Sequence, residues 1–343
     1  MTSWIIILAA SILSIIWVVM FFRQLTSGLT ATAMDDKFTW GLYVQGFFYF
    51  SALAGGILIF IALVSLFEIS TLRPLAETAA VVSFACLVSA ALLLGSDLGK
   101  PFRGARILTG KNFASPLTWD FYMLSICGIL NLVFLLGLIP GKGFLNMVWS
   151  VLCLIAALGY VMIHTLFFLS RVEAGFRSQP FFGMDTLAQS LWGGMALVNL
   201  IALASGYKTP GLTTLLIVLT VLALIPLAGA KIASLGSTNK GFSQIKIIAL
   251  DVAVLIILLL IRLFSPGNPI YLSIVSVLIL TAVFLEKSHL IRQYQRKPTL
   301  PLPYSRYEEV PDYSPTLGEW ALTAGSVGVC TLLISLMLYL KMP

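Results

Sequence analysis

Charge is what this sequence lacks. Of its 343 residues only 10% are Asp, Glu, Lys or Arg, and 59% are hydrophobic; a soluble domain carries about 25% charged residues. A water-soluble fold this apolar could not cover its own surface with polar groups. That excludes a soluble globular enzyme and turns the surplus apolar surface toward lipid. Histidine is scarcer still. Of the two, His164 lies deep in an apolar run and His289 near the end of another. A bis-histidine haem, which takes paired axial ligands on facing helices, therefore has no ligand set. The four cysteines (Cys86, Cys127, Cys153, Cys330) each sit within an apolar run, and no two share a metal-ligand spacing; they read as small packing residues. The formal charge of +7 comes from short loops and forms no patch with interleaved aromatics, which argues against a nucleic-acid surface.

What is present is a series of long apolar runs. Crossing a bilayer takes about 20 such residues, and ten runs qualify: 4–22, 42–67, 76–95, 118–139, 144–169, 187–205, 212–230, 246–264, 269–285 and 319–340. The ninth is the shortest. The first has no basic segment before it and no small-residue cleavage site close behind it, so it reads as a retained helix. Gly/Pro clusters at 140–143, 206–211 and 265–269 separate consecutive spans and end helices cleanly. The expected chain is a single membrane domain. It has an extra N-terminal helix (4–22), a first helix bundle (42–169), a second (187–285), a polar loop (286–318) rich in Pro and Tyr, and a C-terminal helix (319–340). That loop suits an extended segment against a partner or a plain linker.

The loops fall into two alternating sets. With the N-terminus on side A, that side holds Arg73, Lys142, Lys208, Arg262 and Lys341, and side B holds the other sixteen of the 21 basic residues. The bias of Lys and Arg toward cytoplasmic loops predicts that side B is cytoplasmic and both termini are outside.

Polar residues within or beside apolar runs carry the functional information, because each is costly in lipid. The densest set runs from the third span into the fourth: Gly95-Ser96-Asp97-Leu98-Gly99-Lys100-Pro101-Phe102-Arg103, then Ser115-Pro116-Leu117-Thr118-Trp119-Asp120. Asp97 falls where the third helix ends, since Pro101 prevents continuation. Asp120 falls in the first turn of the fourth, where the helix dipole favours a carboxylate. Arg103 could pair with either acid, and from spacing alone a capped loop with a boundary salt bridge is the plainer explanation of the set. A second set enters the second span: Trp40-Gly41-Leu42-Tyr43-Val44-Gln45, then Phe47-Phe48 and Leu53-Ala54-Gly55-Gly56. Trp40 and Tyr43 suit an interfacial belt, and Gln45 is deeper and needs a partner. Ala52, Gly55 and Gly56 allow either close helix packing or a slot in which a flat ring lies against aromatics. His164, followed by Arg171 and Glu173 at the helix end, reads as a hydrogen-bonded core group or as a proton relay. Asp251 in the eighth span needs its own partner, and Pro226 interrupts the seventh.

In order and spacing, these motifs resemble the NrfD/PsrC family, the membrane subunits of polysulfide-reductase-type and related respiratory complexes. Trp40-Gly41 through Gly56 is similar to the family's first core helix. Residues 97–103 are similar to its Asp-Leu-Gly-x-Pro-x-Arg loop, and residues 115–119 to its Ser-Pro-x-x-Trp helix start. The resemblance implies an all-α polytopic membrane protein of about ten transmembrane helices, built as two four-helix bundles plus flanking helices, of which the first and tenth spans would be additions. It implies reaction with a quinone, often menaquinone, as substrate, with no haem or metal in this chain. It also implies an iron–sulfur partner subunit leading to a molybdoenzyme-type catalytic subunit or a multihaem cytochrome, in a bacterial or archaeal cytoplasmic membrane. Such a subunit would be non-catalytic alone and would act within a quinol-linked oxidoreductase complex. A two-electron quinone reaction moves two protons, so the site needs ring hydrogen-bond partners and acid/base groups. The expected ring contacts are Trp40, Tyr43, Gln45, Trp119 and Tyr122, with Asp97, Asp120 and Arg103 as the chemical groups. His164, Arg171, Glu173 and Asp251 are candidates for a proton pathway. Two other functions remain open on the residues alone. One is a secondary transporter using the boundary charges and the Pro226 break; the other is a passive anchor for a redox partner.

Overall fold

The computed structural model describes residues 2–35, 38–99, 113, 115–139, 141–170, 177, 181–206, 212–234, 241–264, 268–295 and 313–340. Among these there is no strand, and ten α-helices follow one another: α1 (Thr2–Ser27), α2 (Leu42–Leu66), α3 (Arg73–Asp97), α4 (Pro116–Leu135), α5 (Phe144–Ser170), α6 (Phe182–Ala204), α7 (Leu212–Ser234), α8 (Gly241–Phe264), α9 (Pro269–Tyr294) and α10 (Leu317–Tyr339). Eight are long and apolar enough to cross a membrane; α7 and α8 carry the shorter apolar stretches Thr214–Ile225 and Asp251–Ile261. The expected all-α polytopic membrane fold is the one observed.

Local chemistry sets the helix ends. Prolines occupy the first turn of α3, α4 and α9, where the missing N–H costs nothing. Asn268 caps α9 by accepting from the Ile270 N–H at 3.0 Å. Thr316 and Glu319 form a reciprocal capping box at the start of α10, satisfying two orphan donors. Beyond the last turn of α3, Gly99 takes φ +60°, the left-handed cap that glycine adopts without strain. The ninth helix is longer than its apolar run suggests. It continues past Leu285 to Tyr294 because Glu286 and Lys287 are buried and partnered inside the protein.

Helices α2 to α5 pack into one four-helix bundle and α6 to α9 into a second, with α2 lying against α6 at the junction. Outside the bundles, α1 packs along α10, which covers α3. Apolar contact adds little between helices already bathed in lipid, so close backbone approach and interhelical hydrogen bonds must hold them together. Both are present. Ser83 Oγ donates to Ala54 O at 3.2 Å and Asn146 Nδ2 to Ser65 O at 2.8 Å. In the second bundle, Asn199 Nδ2 donates to Ser276 Oγ at 2.8 Å and Trp192 Nε1 to Thr220 Oγ1 at 2.9 Å. The glycines of α2 serve packing and leave no slot for a ring. A Cβ on Gly56 would overlap the Ser190 carbonyl of α6, and one on Gly55 would meet the tip of Val161 on α5 at 2.8 Å. On the α6 side, a Cβ on Gly194 would lie 2.9 Å from Leu53 O.

These contacts separate two otherwise similar substitutions. Gly56→Ala pushes on backbone and should destabilise the folded chain by about 2 kcal/mol, as overpacking does. Gly55→Ala pushes only on a valine methyl and should cost well under half of that. Thermal unfolding of the two variants in detergent measures the difference; equal midpoints would contradict the backbone crossing.

Candidate functional site

The start of α2 is held from two directions at the side-B surface. Gln295, at the C-terminal end of α9, accepts from the Trp40 N–H at 2.8 Å and donates to the Trp40 carbonyl at 2.9 Å. The Trp40 indole stacks on Tyr294 and lies against Phe167, both with centroids 4.9 Å away. From the other direction, Tyr313 accepts from the Leu42 N–H at 2.8 Å and donates to Glu319, whose carboxylate also accepts from the Ala33 and Thr316 N–H groups at 3.0 and 2.9 Å. Burial and the neighbouring Glu319 carboxylate hold the Tyr313 hydroxyl well above the usual phenol range, so it stays a donor. The Tyr313 ring stacks on Phe38 at 4.5 Å.

Next to this anchor lies a cleft lined by Met20, Arg23 and Gln24 of α1, Tyr43 of α2, and Gly318 and Leu322 of α10. Gln24 donates to the Ser96 carbonyl at the end of α3. Asp97, one residue on, lies within electrostatic reach of both Tyr43 and Glu319. Its Oδ1 is enclosed and has no hydrogen-bond partner among the described residues. The third and second spans thus bring Asp97 and Tyr43 to one place.

Asp120 goes elsewhere. It is fully buried in the first bundle, and its Oδ1 lies 3.3 Å from Nε2 of His164 on α5. The imidazole is enclosed by Phe47, Phe48 and Tyr160, with ring centroids at 6.1, 5.0 and 4.9 Å, and Tyr160 donates to Ser51 Oγ at 2.6 Å. With Asp120 facing inward, positions 119 and 122 are turned about 100° and 200° around α4. Trp119 is 41% exposed and donates to Phe113 O at 2.9 Å, and Tyr122 stands edge-on to Trp119. These two candidate ring contacts therefore lie together on α4, and Trp119 suits an interfacial anchor.

Gln45 finds its partner in the other bundle, where Ser288 Oγ donates to its Oε1 at 2.9 Å. Beside it is a buried group with no counterpart in the sequence expectations. Lys287 Nζ donates to Gln189 Oε1 at 3.4 Å, Gln189 Nε2 donates to Asp185 Oδ1 at 3.1 Å, and Glu286 lies within electrostatic reach of Asp185. Lys287 is also within electrostatic reach of His164. The Asp120–His164 pair and the Lys287–Gln189–Asp185 group thus lie on either side of the bundle junction, within electrostatic reach of each other. Asp251 is buried in α8 of the second bundle. Arg103, Arg171 and Glu173 lie outside the described residues.

Some of the missed groups carried a readable signal. Thr316-x-x-Glu319 is a capping-box pattern, and Asp185 with Gln189 is an i, i+4 pair at the start of the sixth span. Glu286 and Lys287 carried none, because at the end of an apolar run they look like the first residues of a loop. Among buried pairs, removing one partner is costlier than removing both. Asp120→Leu leaves the His164 imidazole without its polar neighbour and should therefore destabilise the chain by about 2 kcal/mol, and the Asp120→Leu/His164→Leu double variant by less than the sum of the two singles. Denaturation of all three variants in detergent gives the coupling; strict additivity would mean that the two side chains do not interact.

No family model matches the chain. Two curated proteins do. One, from Halobacterium salinarum and provisionally named as a membrane subunit of dimethyl sulfoxide reductase, is 36% identical over 112 residues, which is 33% of this chain and 26% of that protein. The other, a subunit of the selenate reductase of Mesobacillus selenatarsenatis, is 26% identical over 116 residues, 33% of this chain and 27% of that protein. The matched stretch spans about a quarter of either relative's own length. A multi-pass helical membrane fold and these relatives, named as subunits of reductase complexes, agree with the resemblance of the α2 to α4 motifs to the NrfD/PsrC family, over a third of the chain.

Proposed function

We propose that this protein is the quinone-reactive membrane subunit of a respiratory redox complex, exchanging electrons with an iron–sulfur partner subunit that leads to a molybdoenzyme-type or multihaem catalytic subunit. The observation that carries this reading is the enclosed Asp97 carboxyl at the membrane-surface end of α3, within electrostatic reach of Tyr43, which lines the neighbouring cleft. The enclosed Asp97 Oδ1 has no partner among the described residues, and leaving such an atom unsatisfied costs stability unless a ligand or water completes it. A quinone ring, menaquinone or a relative, offers two oxygens about one ring width apart that suit a phenol on one side and a carboxyl on the other.

In this reading the Tyr43 hydroxyl orients one ring oxygen. Asp97 takes up or delivers the proton at the other, matching the two protons that accompany each two-electron exchange. Trp40 packs between α5 and α9 and fixes the first turn that carries Tyr43. Asp120 with His164, and beyond them Lys287, Gln189 and Asp185, form an interior acid/base track; buried ionisable groups of this kind in membrane helices mark ion or proton paths. A passive anchor has no use for such groups. Membrane-complex subunits named for dimethyl sulfoxide and selenate reductases among the relatives agree with a role in a redox complex. The excess of Lys and Arg on side B supports a cytoplasmic side B, with both termini outside a bacterial or archaeal cytoplasmic membrane.

Two experiments test this. In the assembled complex, Asp97→Asn should slow quinol-linked turnover by about 100-fold, the usual weight of a general acid/base, and Asp120→Asn should slow it to a smaller extent. Wild-type rates in both variants would overturn the assignment. Reporter fusions at each terminus should both read as outside; a cytoplasmic N-terminus would overturn the orientation.

A further inference from the structure

The two helices outside the bundles, α1 and α10, close on each other along a glycine seam that stops short of the side-B surface. In the middle of the membrane their backbones touch. A Cβ on Gly325 would lie 2.8 Å from the Cα of Trp17, and one on Gly328 would lie 3.0 Å from Ala10 O. One turn further toward side B the seam opens. There Met20 and Leu322 replace the glycine contacts, and the space between the helices becomes the cleft that reaches Tyr43. The outer face of α1 is bare: Trp4, Ile5, Leu8, Ile15 and Phe22 are each 62–69% exposed. Lipid therefore lies directly against the helix that forms one wall of the cleft.

A lipid-soluble quinol imposes two demands on its site. Its ring oxygens need hydrogen-bonding groups, which here sit at the helix ends, while its isoprenoid tail stays in hydrocarbon. An aperture meeting both must open sideways to the bilayer close to the surface, with apolar walls and a polar inner end. Between α1 and α10 the cleft is lined by apolar Met20 and Leu322 and by the polar side chains of Tyr43, Gln24, Arg23, Ser27 and Thr32. We infer that the α1–α10 cleft marks the lateral portal of the quinone site, past which the isoprenoid tail runs to the bilayer. The inference rests on the quinone reading above and adds a role for the two flanking helices. They are the wall through which substrate enters and by which tail-bearing quinols are selected.

The test compares quinols that differ only in their tails, using the assembled complex in membranes. Met20→Trp and Leu322→Trp each fill the cleft. In both, the KM for a long-tailed menaquinol divided by the KM for a tail-less naphthoquinol should rise about tenfold. Ile15→Trp, on the lipid face of α1, should leave that ratio at its wild-type value. An unchanged ratio in the two cleft variants overturns the portal. A naphthoquinol carrying a photoreactive group on its first tail unit gives a second readout on the unaltered protein. Labelling of α1 and α10 peptides supports the portal, and labelling confined to α4 or α5 overturns it. A wild-type complex that neither oxidises nor binds any of these quinols refutes the quinone reading itself. Turnover of both quinols with an unchanged ratio refutes only the portal.

Discussion

The structure depends on the crossing of α2 and α6. Gly56 leaves room for the Ser190 carbonyl, and Gly194 leaves room for the backbone of Leu53 and Ile57. In lipid, where apolar burial gives helices little reason to associate, backbone-to-backbone approach supplies dispersion contacts that side chains would block. The crossing joins the two bundles and makes α2 the shared wall of both. Every polar group assigned to the site touches α2, or touches a helix that α2 positions.

A second constraint acts at the first turn of α2, whose N–H groups have no partners within the helix. Residues distant in sequence satisfy the backbone there: Gln295 at Trp40, and Tyr313 at Leu42 backed by Glu319. The chain on either side of the α9–α10 connection thus returns to the same point. Tyr43 follows directly after Leu42, so its position relative to Asp97 is inherited from this anchor. Four donors satisfy the buried Glu319 carboxyl oxygens: the N–H groups of Ala33 and Thr316 and the hydroxyls of Tyr313 and Thr316.

Polar groups inside the bundles follow the same economy of partners. Asp120 lies against His164, Gln45 takes Ser288, and Asp185 is bonded to Gln189, which in turn accepts from Lys287. Each is deep enough that an isolated charge would be expensive, and each meets its partner across a helix interface or one turn along its own helix. The same contacts therefore specify which helix faces which.

The sequence by itself determined that the chain is membrane-embedded and helical, and placed most of its spans, because lipid demands long apolar runs with internally satisfied backbone. It also located the ends of α2, α3 and α4, since proline and glycine at helix ends act locally, although Asp120, expected in the first turn of α4, lies beyond it. It went less far with partnership. Asp97 and Asp120 are close in sequence, yet one joins Tyr43 and Glu319 and the other joins His164, because rotation about a helix axis decides which neighbour a side chain meets. The run that ended at Leu285 concealed about two and a half further helical turns: Glu286 and Lys287 stay helical because Asp185 and Gln189 wait on α6. Whether the glycines of α2 made a slot or a seam was likewise undecided until α6 was seen to fill the space. Pairing across helices, which no local pattern encodes, is what the tertiary structure alone decided.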